Sequence, residues 1–177
     1  MASSHIPNAL PVFVCYAQKD NESTDPKNRW LDRLLEHLAP LGMQDLVNVW
    51  SDQRLEAGDF WDAEIKSQLQ QAKAAVLLVS QPFLGSKYIR NSELPVLLKR
   101  AMEHGLTIIP IIIKPCLFAE TMFKYPDPVA GPEEFSLASL QAANPPSKAL
   151  SEMEEHEQDR VLLSVAQRLL RLVQRNP

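Results

Sequence analysis

The feature that most restricts the fold of this chain is a set of short apolar runs without polar alternation, separated by stretches of helical period. Val12-Phe13-Val14-Cys15-Tyr16, residues 74–80 and residues 106–113 are dominated by apolar, often β-branched side chains. A strand with one wet face alternates apolar and polar residues, so runs like these are expected where both faces are covered, as in a parallel sheet. A weaker run at 46–50, interrupted by Asn48, reads as an edge strand. Pro110 inside the fourth run removes a ladder donor and predicts a bend, a bulge or one unpaired side.

Helical stretches lie between the runs. From Asn28, residues Trp30, Leu31, Leu34, Leu35 and Leu38 share one face, and Pro40 with Gly42 is expected to end that helix. A second pattern, on Trp61, Ile65, Leu69 and Ala72, follows Gly58, with Asp59 as its expected N-cap. A third holds Leu94, Leu97, Leu98, Ala101 and Met102, with Ser92 as cap, Pro95 in the first turn and Gly105 as the C-cap residue. A last helix is expected over 158–174. Strands alternating with helices imply right-handed crossovers and a mostly parallel sheet between helical layers. Residues 114–156 are Pro-rich and then acidic, and a short final strand is expected near 149–151. Residues 1–10 read as a loose leader, and residues 11–175 as one domain, with 114–156 as a divergent connection.

Several functions fit poorly. With 18 Lys plus Arg against 22 Asp plus Glu, the charge of -4 gives no general attraction to nucleic acid or anionic membranes. The longest apolar stretches, 74–79 and 106–113, fall well short of the roughly 20 residues that span a bilayer, and no signal peptide is evident, so a cytoplasmic location is expected. Cys15 and Cys116 lie in or beside apolar runs and read as buried thiols. His5, His37, His104 and His156 show no metal-ligand spacing, and no glycine-rich phosphate loop is present, so neither a metal nor a retained cofactor is expected.

Three blocks carry a family resemblance. The first is Val12-Phe13-Val14-Cys15-Tyr16-Ala17-Gln18-Lys19-Asp20. The second is Trp50-Ser51-Asp52-Gln53-Arg54-Leu55-Glu56-Ala57-Gly58-Asp59-Phe60-Trp61, followed by Glu64-Ile65. The third runs from Ser80-Gln81-Pro82-Phe83 through Ser86-Lys87-Tyr88 to Ser92-Glu93-Leu94, then Ile108-Ile109-Pro110-Ile111-Ile112. Together they resemble the Toll/interleukin-1 receptor homology (TIR) domain family, particularly its bacterial and NAD-cleaving members. The resemblance implies a flavodoxin-like α/β three-layer sandwich with about five strands in a mostly parallel central sheet.

It also implies an activity: NAD glycohydrolase, an NAD+ nucleosidase with ADP-ribosyl cyclisation as a related outcome, in an assembly-activated bacterial antiphage defence effector. The family's catalytic glutamate falls on Glu93. Nicotinamide leaves from a cationic sugar derivative, so one carboxylate that stabilises an oxocarbenium-like ribose suffices, where ordinary glycosidases need two. A position at a helix start would help keep Glu93 ionised.

Substrate binding is assigned to Phe13, Tyr16, Phe60 and Trp61 as rings for nicotinamide or adenine, and to Ala17 beside them. Lys19 and Arg54 are assigned to the pyrophosphate, and Ser86 to Glu93 or the ribose. The plainer reading is core packing for the rings, solvated surface for the cations and a local backbone bond for Ser86. Self-association is implied through Asp52, Arg54, Leu55, Glu56, Ala57, Gly58, Asp59 and Phe60, with a separate sensor or effector protein as a further partner. The alternative is a non-enzymatic TIR signalling or scaffold module using the same loop for docking.

Overall fold

A computed structural model describes residues 8–51, 61–125, 129 and 133–175, with the side chains of Trp61 and Asp62 outside that description. Strands β1 (Leu10–Cys15), β2 (Val47–Trp50), β3 (Ala74–Val79) and β4 (Thr107–Ile112) form one parallel sheet in the order β2-β1-β3-β4. The register pairs Leu10 with Val47, Val12 with Ala74 and Leu77 with Pro110. Helices α1 (Trp30–Met43), α2 (Trp61–Gln71), α3 (Gln81–Leu84), α4 (Leu94–His104) and α5 (Glu155–Arg175) connect or follow these strands, and β5 (Met122–Lys124) pairs antiparallel with β6 (Glu134–Ser136).

Side-chain parity divides the core into two layers. Phe13, Cys15, Ala75, Leu77, Ile108 and Ile112 face α2 and α4, where Ile65, Leu69, Leu94 and Leu97 are buried. Val12, Val14, Val76, Leu78, Ile109 and Ile111 face α1 and α5, against Trp30, Leu31, Leu34, Leu162 and Leu169. Neither sheet face is wet, which is why the strand sequences lack alternation. This is the α/β three-layer arrangement, with a mostly parallel sheet flanked by helices, consistent with a flavodoxin-like sandwich.

Four details correct the expectations. The parallel sheet has four strands among the described residues, and 149–151 is no fifth. There, Leu150–Glu152 forms a tight 3-10 turn, because Ala149 N–H donates to Glu152 Oε2 at 3.0 Å and Met153 N–H to Leu150 O at 3.0 Å. The outer edge of β4 is instead covered by the chain at Ala143 and Asn144. Ala143 N–H donates to Pro110 O at 2.8 Å, and the Asn144 side chain accepts from Ile112 N–H at 3.0 Å and donates to Ile112 O at 2.9 Å. Pro110 therefore sits in β4 with its missing donor on that outer edge, where no sheet bond is lost.

Pro40 does not end α1, which continues to Met43; a proline near the end of a helix forfeits only one bond. The stop comes from Asp45, at a left-handed φ of 56°, with its N–H on Gly42 O and Leu46 N–H on Leu41 O. Strand β1 begins at Leu10, ahead of the expected start at Val12. Ser92 is not a cap: it lies inside a wide π-helical turn, Ile89–Glu93, that runs directly into α4. Pro95 has no N–H for the ordinary bond four residues back, and Leu94 N–H reaches Ile89 O instead, so the backbone widens there.

Candidate active site

In the order β2-β1-β3-β4 the chain leaves β1 toward one side and returns on the other, so the loops after β1 and β3 diverge at the carboxyl end of the sheet. Such a switch point leaves a crevice. Here it is a cleft of about 580 Å³, with Tyr16, Ala17, Lys19 and Glu22 on the β1 side and Ser86, Tyr88, Ile89 and Glu93 on the β3 side.

Each wall is anchored beneath. On the β1 side, the turn Gln18–Asn21 is pinned by Asp20, whose carboxylate accepts from Ser80 Oγ and lies 2.9 Å from Lys114 Nζ. Asn21 adds a reciprocal pair with Asp32, Nδ2 to Oδ1 at 3.1 Å and Asp32 N–H to Asn21 Oδ1 at 3.1 Å. These bonds hold the turn while the Lys19 side chain stays exposed at the cleft. On the β3 side, Ser80 caps α3 by accepting from Phe83 N–H at 3.1 Å. Ser86 then accepts from Ile89 N–H at 3.3 Å and starts the helical segment that Ser92 was expected to start. Arg90 ties this segment to the β5–β6 hairpin, donating to Met122 O at 2.9 Å with its guanidinium 4.6 Å from the Phe123 ring centre.

Glu93 lies in the cleft at only 4% exposure. Helical backbone already begins near Lys87, so Glu93 is beyond the first turn and the free amides of the helix start are not at hand. The position expected at a helix start thus lies inside a continuous helical segment. A closer donor is present: Cys15 Sγ, at the end of β1, lies 2.8 Å from Glu93 Oε2.

Of the residues assigned from sequence, Tyr16, Ala17, Lys19, Ser86 and Glu93 line one cleft. Phe13 does not: at 1% exposure it stacks on Trp50 in the core, ring centres 5.2 Å apart at 25°. Its plainer reading, packing, is the one the structure bears out. Trp61 opens α2, but its side chain is outside the description. Asp52, Arg54, Leu55, Glu56, Ala57, Gly58, Asp59 and Phe60 lie outside the described residues. Glu22 and Tyr88 in the cleft, and Cys15 against Glu93, carry no site signature in the sequence, although strand parity from Phe13 puts Cys15 on the α4 face.

A second cleft, of about 540 Å³, opens at the amino end of the strands with Lys73, Arg100 and His104 in its lining. Helix carboxyl ends converge there, and their partial negative charge explains basic residues without a ligand. Arg100 Nη1 donates to Leu69 O at 2.7 Å and to Ala72 O, closing the end of α2. Among the described residues no group of His, Cys, Asp or Glu is placed to hold a metal, and no helix is long and apolar enough to cross a membrane.

The family profile described as TIR domain matches residues 12–144, from the first core strand through Asn144. This chain belongs to the TIR domain family. The matched span takes in both walls of the cleft, while α5 lies beyond it. The TIR chain is also 29% identical over 105 residues to the uncharacterized protein y4lF of Sinorhizobium fredii (strain NBRC 101917 / NGR234). That match covers 59% of this chain and 30% of y4lF, so the likeness concerns a minor part of the relative's length.

Proposed function

We propose that this TIR domain is an NAD+ nucleosidase with Glu93 as its catalytic carboxylate. The observation that supports this reading best is a buried carboxylate in the cleft at the β1/β3 switch point, with Lys19 exposed on the opposite wall. In NAD+ the bond from C1′ of the ribose to the nicotinamide nitrogen breaks with its electron pair going to the ring, which leaves neutral. Positive charge then develops on the ribose, and a carboxylate itself shielded from solvent, as Glu93 is, opposes it more strongly than one in bulk water would.

Water adding at C1′ and losing a proton gives ADP-ribose; attack by a group of the same nucleotide gives a cyclic product. Lys19 would hold the pyrophosphate, and the rings of Tyr16 and Tyr88 offer apolar surface to a base or to nicotinamide. Assembly through residues 52–60, activation by a separate sensor and a role in bacterial antiphage defence belong to the same proposal. An enzyme that works only when assembled gains activity with concentration by mass action.

The test is to incubate concentrated wild-type protein and Glu93→Gln with NAD+, with and without a crowding agent, and to resolve the products by chromatography coupled to mass. Nicotinamide release is expected from wild type and a loss of about 10²-fold or more in the variant, the scale for removing one electrostatic group at a reaction centre. No release by assembled wild type would turn the reading to a non-enzymatic scaffold. Equal release by both proteins would remove Glu93 from the chemistry.

A further inference from the structure

The mechanism above does not use the thiol at the end of β1. Cys15 and Glu93 are 78 positions apart, yet Cys15 Sγ donates to Glu93 Oε2 at 2.8 Å with both side chains buried, at 1% and 4% exposure. Every other residue of β1 is apolar, and Cys15 shares its inward face with Phe13. Packing alone would be served at this position by valine or alanine. A thiol adds one capacity, a weak S–H donor, and a carboxylate is the acceptor that makes such a donor count.

The backbone around Glu93 calls for a fixed partner. The π-helical turn forced at Pro95 lacks the regular bonding of an α-helix, and a glutamate side chain on it has several rotamers to choose from. Strand β1, by contrast, is hydrogen-bonded to β2 on one side and to β3 on the other. A bond from β1 to Glu93 transfers that rigidity to the carboxylate.

We propose that Cys15 is a positioning residue: its thiol holds the Glu93 carboxylate in the orientation that faces the cleft. This rests on the NAD+ nucleosidase reading of the cleft. Misorienting a reacting group by a small distance costs on the order of 10²-fold in rate, with ground-state binding little changed.

The test compares Cys15→Ser, Cys15→Ala and Cys15→Val in the full chain, with thermal unfolding measured alongside. Serine keeps a donor, whereas valine keeps apolar volume and loses it. Positioning predicts that serine retains kcat within about threefold, while alanine and valine lose about 10- to 100-fold in kcat with KM little changed. A packing role predicts the reverse order, valine close to wild type and serine impaired, and that order would overturn the proposal.

A second readout needs neither activity nor a Cys15 variant. In a Cys116→Ser background, the infrared S–H stretching band of Cys15 should move to higher frequency on Glu93→Gln, because the charged acceptor becomes a neutral amide. An unmoved band would also overturn the proposal. If wild type released no nicotinamide, the nucleosidase reading would fail, and the band alone would decide whether the thiol holds Glu93.

Discussion

Lys114 Nζ lies 2.9 Å from Asp20 Oδ1, pairing an ammonium at 41% side-chain exposure with a carboxylate at 0%. The pair joins the end of β4 to the turn that carries Lys19, and Ser80 Oγ occupies the second carboxylate oxygen. Removing the cation leaves a buried charge without its ionic partner, which is far more damaging than losing a surface pair. Lys114→Met should therefore destabilise the protein by about 1–3 kcal/mol, discounted for the exposed ammonium, as read from urea unfolding. Asp20→Asn should loosen the Gln18–Asn21 turn, visible as faster amide exchange there.

Asn144 completes the outer edge of β4 with its side chain. Asn144→Ala leaves Ile112 N–H and C=O without these partners, at a cost of roughly 1–3 kcal/mol for each buried group that finds no water. Asn144→Asp sets a buried carboxylate oxygen against Ile112 O and Lys148 O, where the amide donated, so its midpoint in urea at neutral pH should fall at least as far as that of the alanine variant and recover in acid.

The two thiols should respond differently to alkylation. Burial first, and then the carboxylates of Glu120 and Asp20, push the Cys116 thiol up, with the Phe118 backbone acting weakly the other way. Thiolate is the reactive form, so labelling of half-buried Cys116 should be slow at neutral pH and accelerate well into the alkaline range. Cys15, at 1% exposure, should label only on unfolding. Mass spectrometry after timed iodoacetamide quenching separates the two sites.

Glu157 gives a pH signature. The Glu154 N–H at 2.9 Å, and then Lys148 Nζ at 3.0 Å, hold its carboxyl below the usual glutamate range. Because the folded-state pKa is depressed, the stability it contributes is present above the unfolded value of about 4.3 and is lost as pH falls through the folded value. Urea midpoints of wild type and Glu157→Gln should differ at neutral pH and converge in acid.

The strands were legible because each is covered on both faces and so carries an uninterrupted apolar run. The parity of β1 even contained the direction of Cys15. What escaped the sequence was settled by single side chains acting on the backbone. Ser86, rather than Ser92, starts the helical segment before α4, and Pro95 widens it into a π turn. Asn144 replaces a fifth strand with one amide group. Phe13 looked eligible as a ligand ring because an aromatic near a strand end has the same signature in a core and in a cleft. Only its partner Trp50, 37 positions away in sequence and 5.2 Å away in space, decides between them.

The side-chain cover on β4 also limits how sheets of this protein can join. A backbone ladder accepts another strand only where its N–H and C=O groups are open, and along Pro110 and Ile112 these are occupied. Within the parallel sheet, among the described residues, β2, four residues long, is the edge that pairs on one side alone. Two copies could marry their β2 edges across a twofold axis, but the joined sheet would then present a closed β4 margin at each end. Strand pairing through the parallel sheet is thus a terminating reaction, complete once two β2 edges have met.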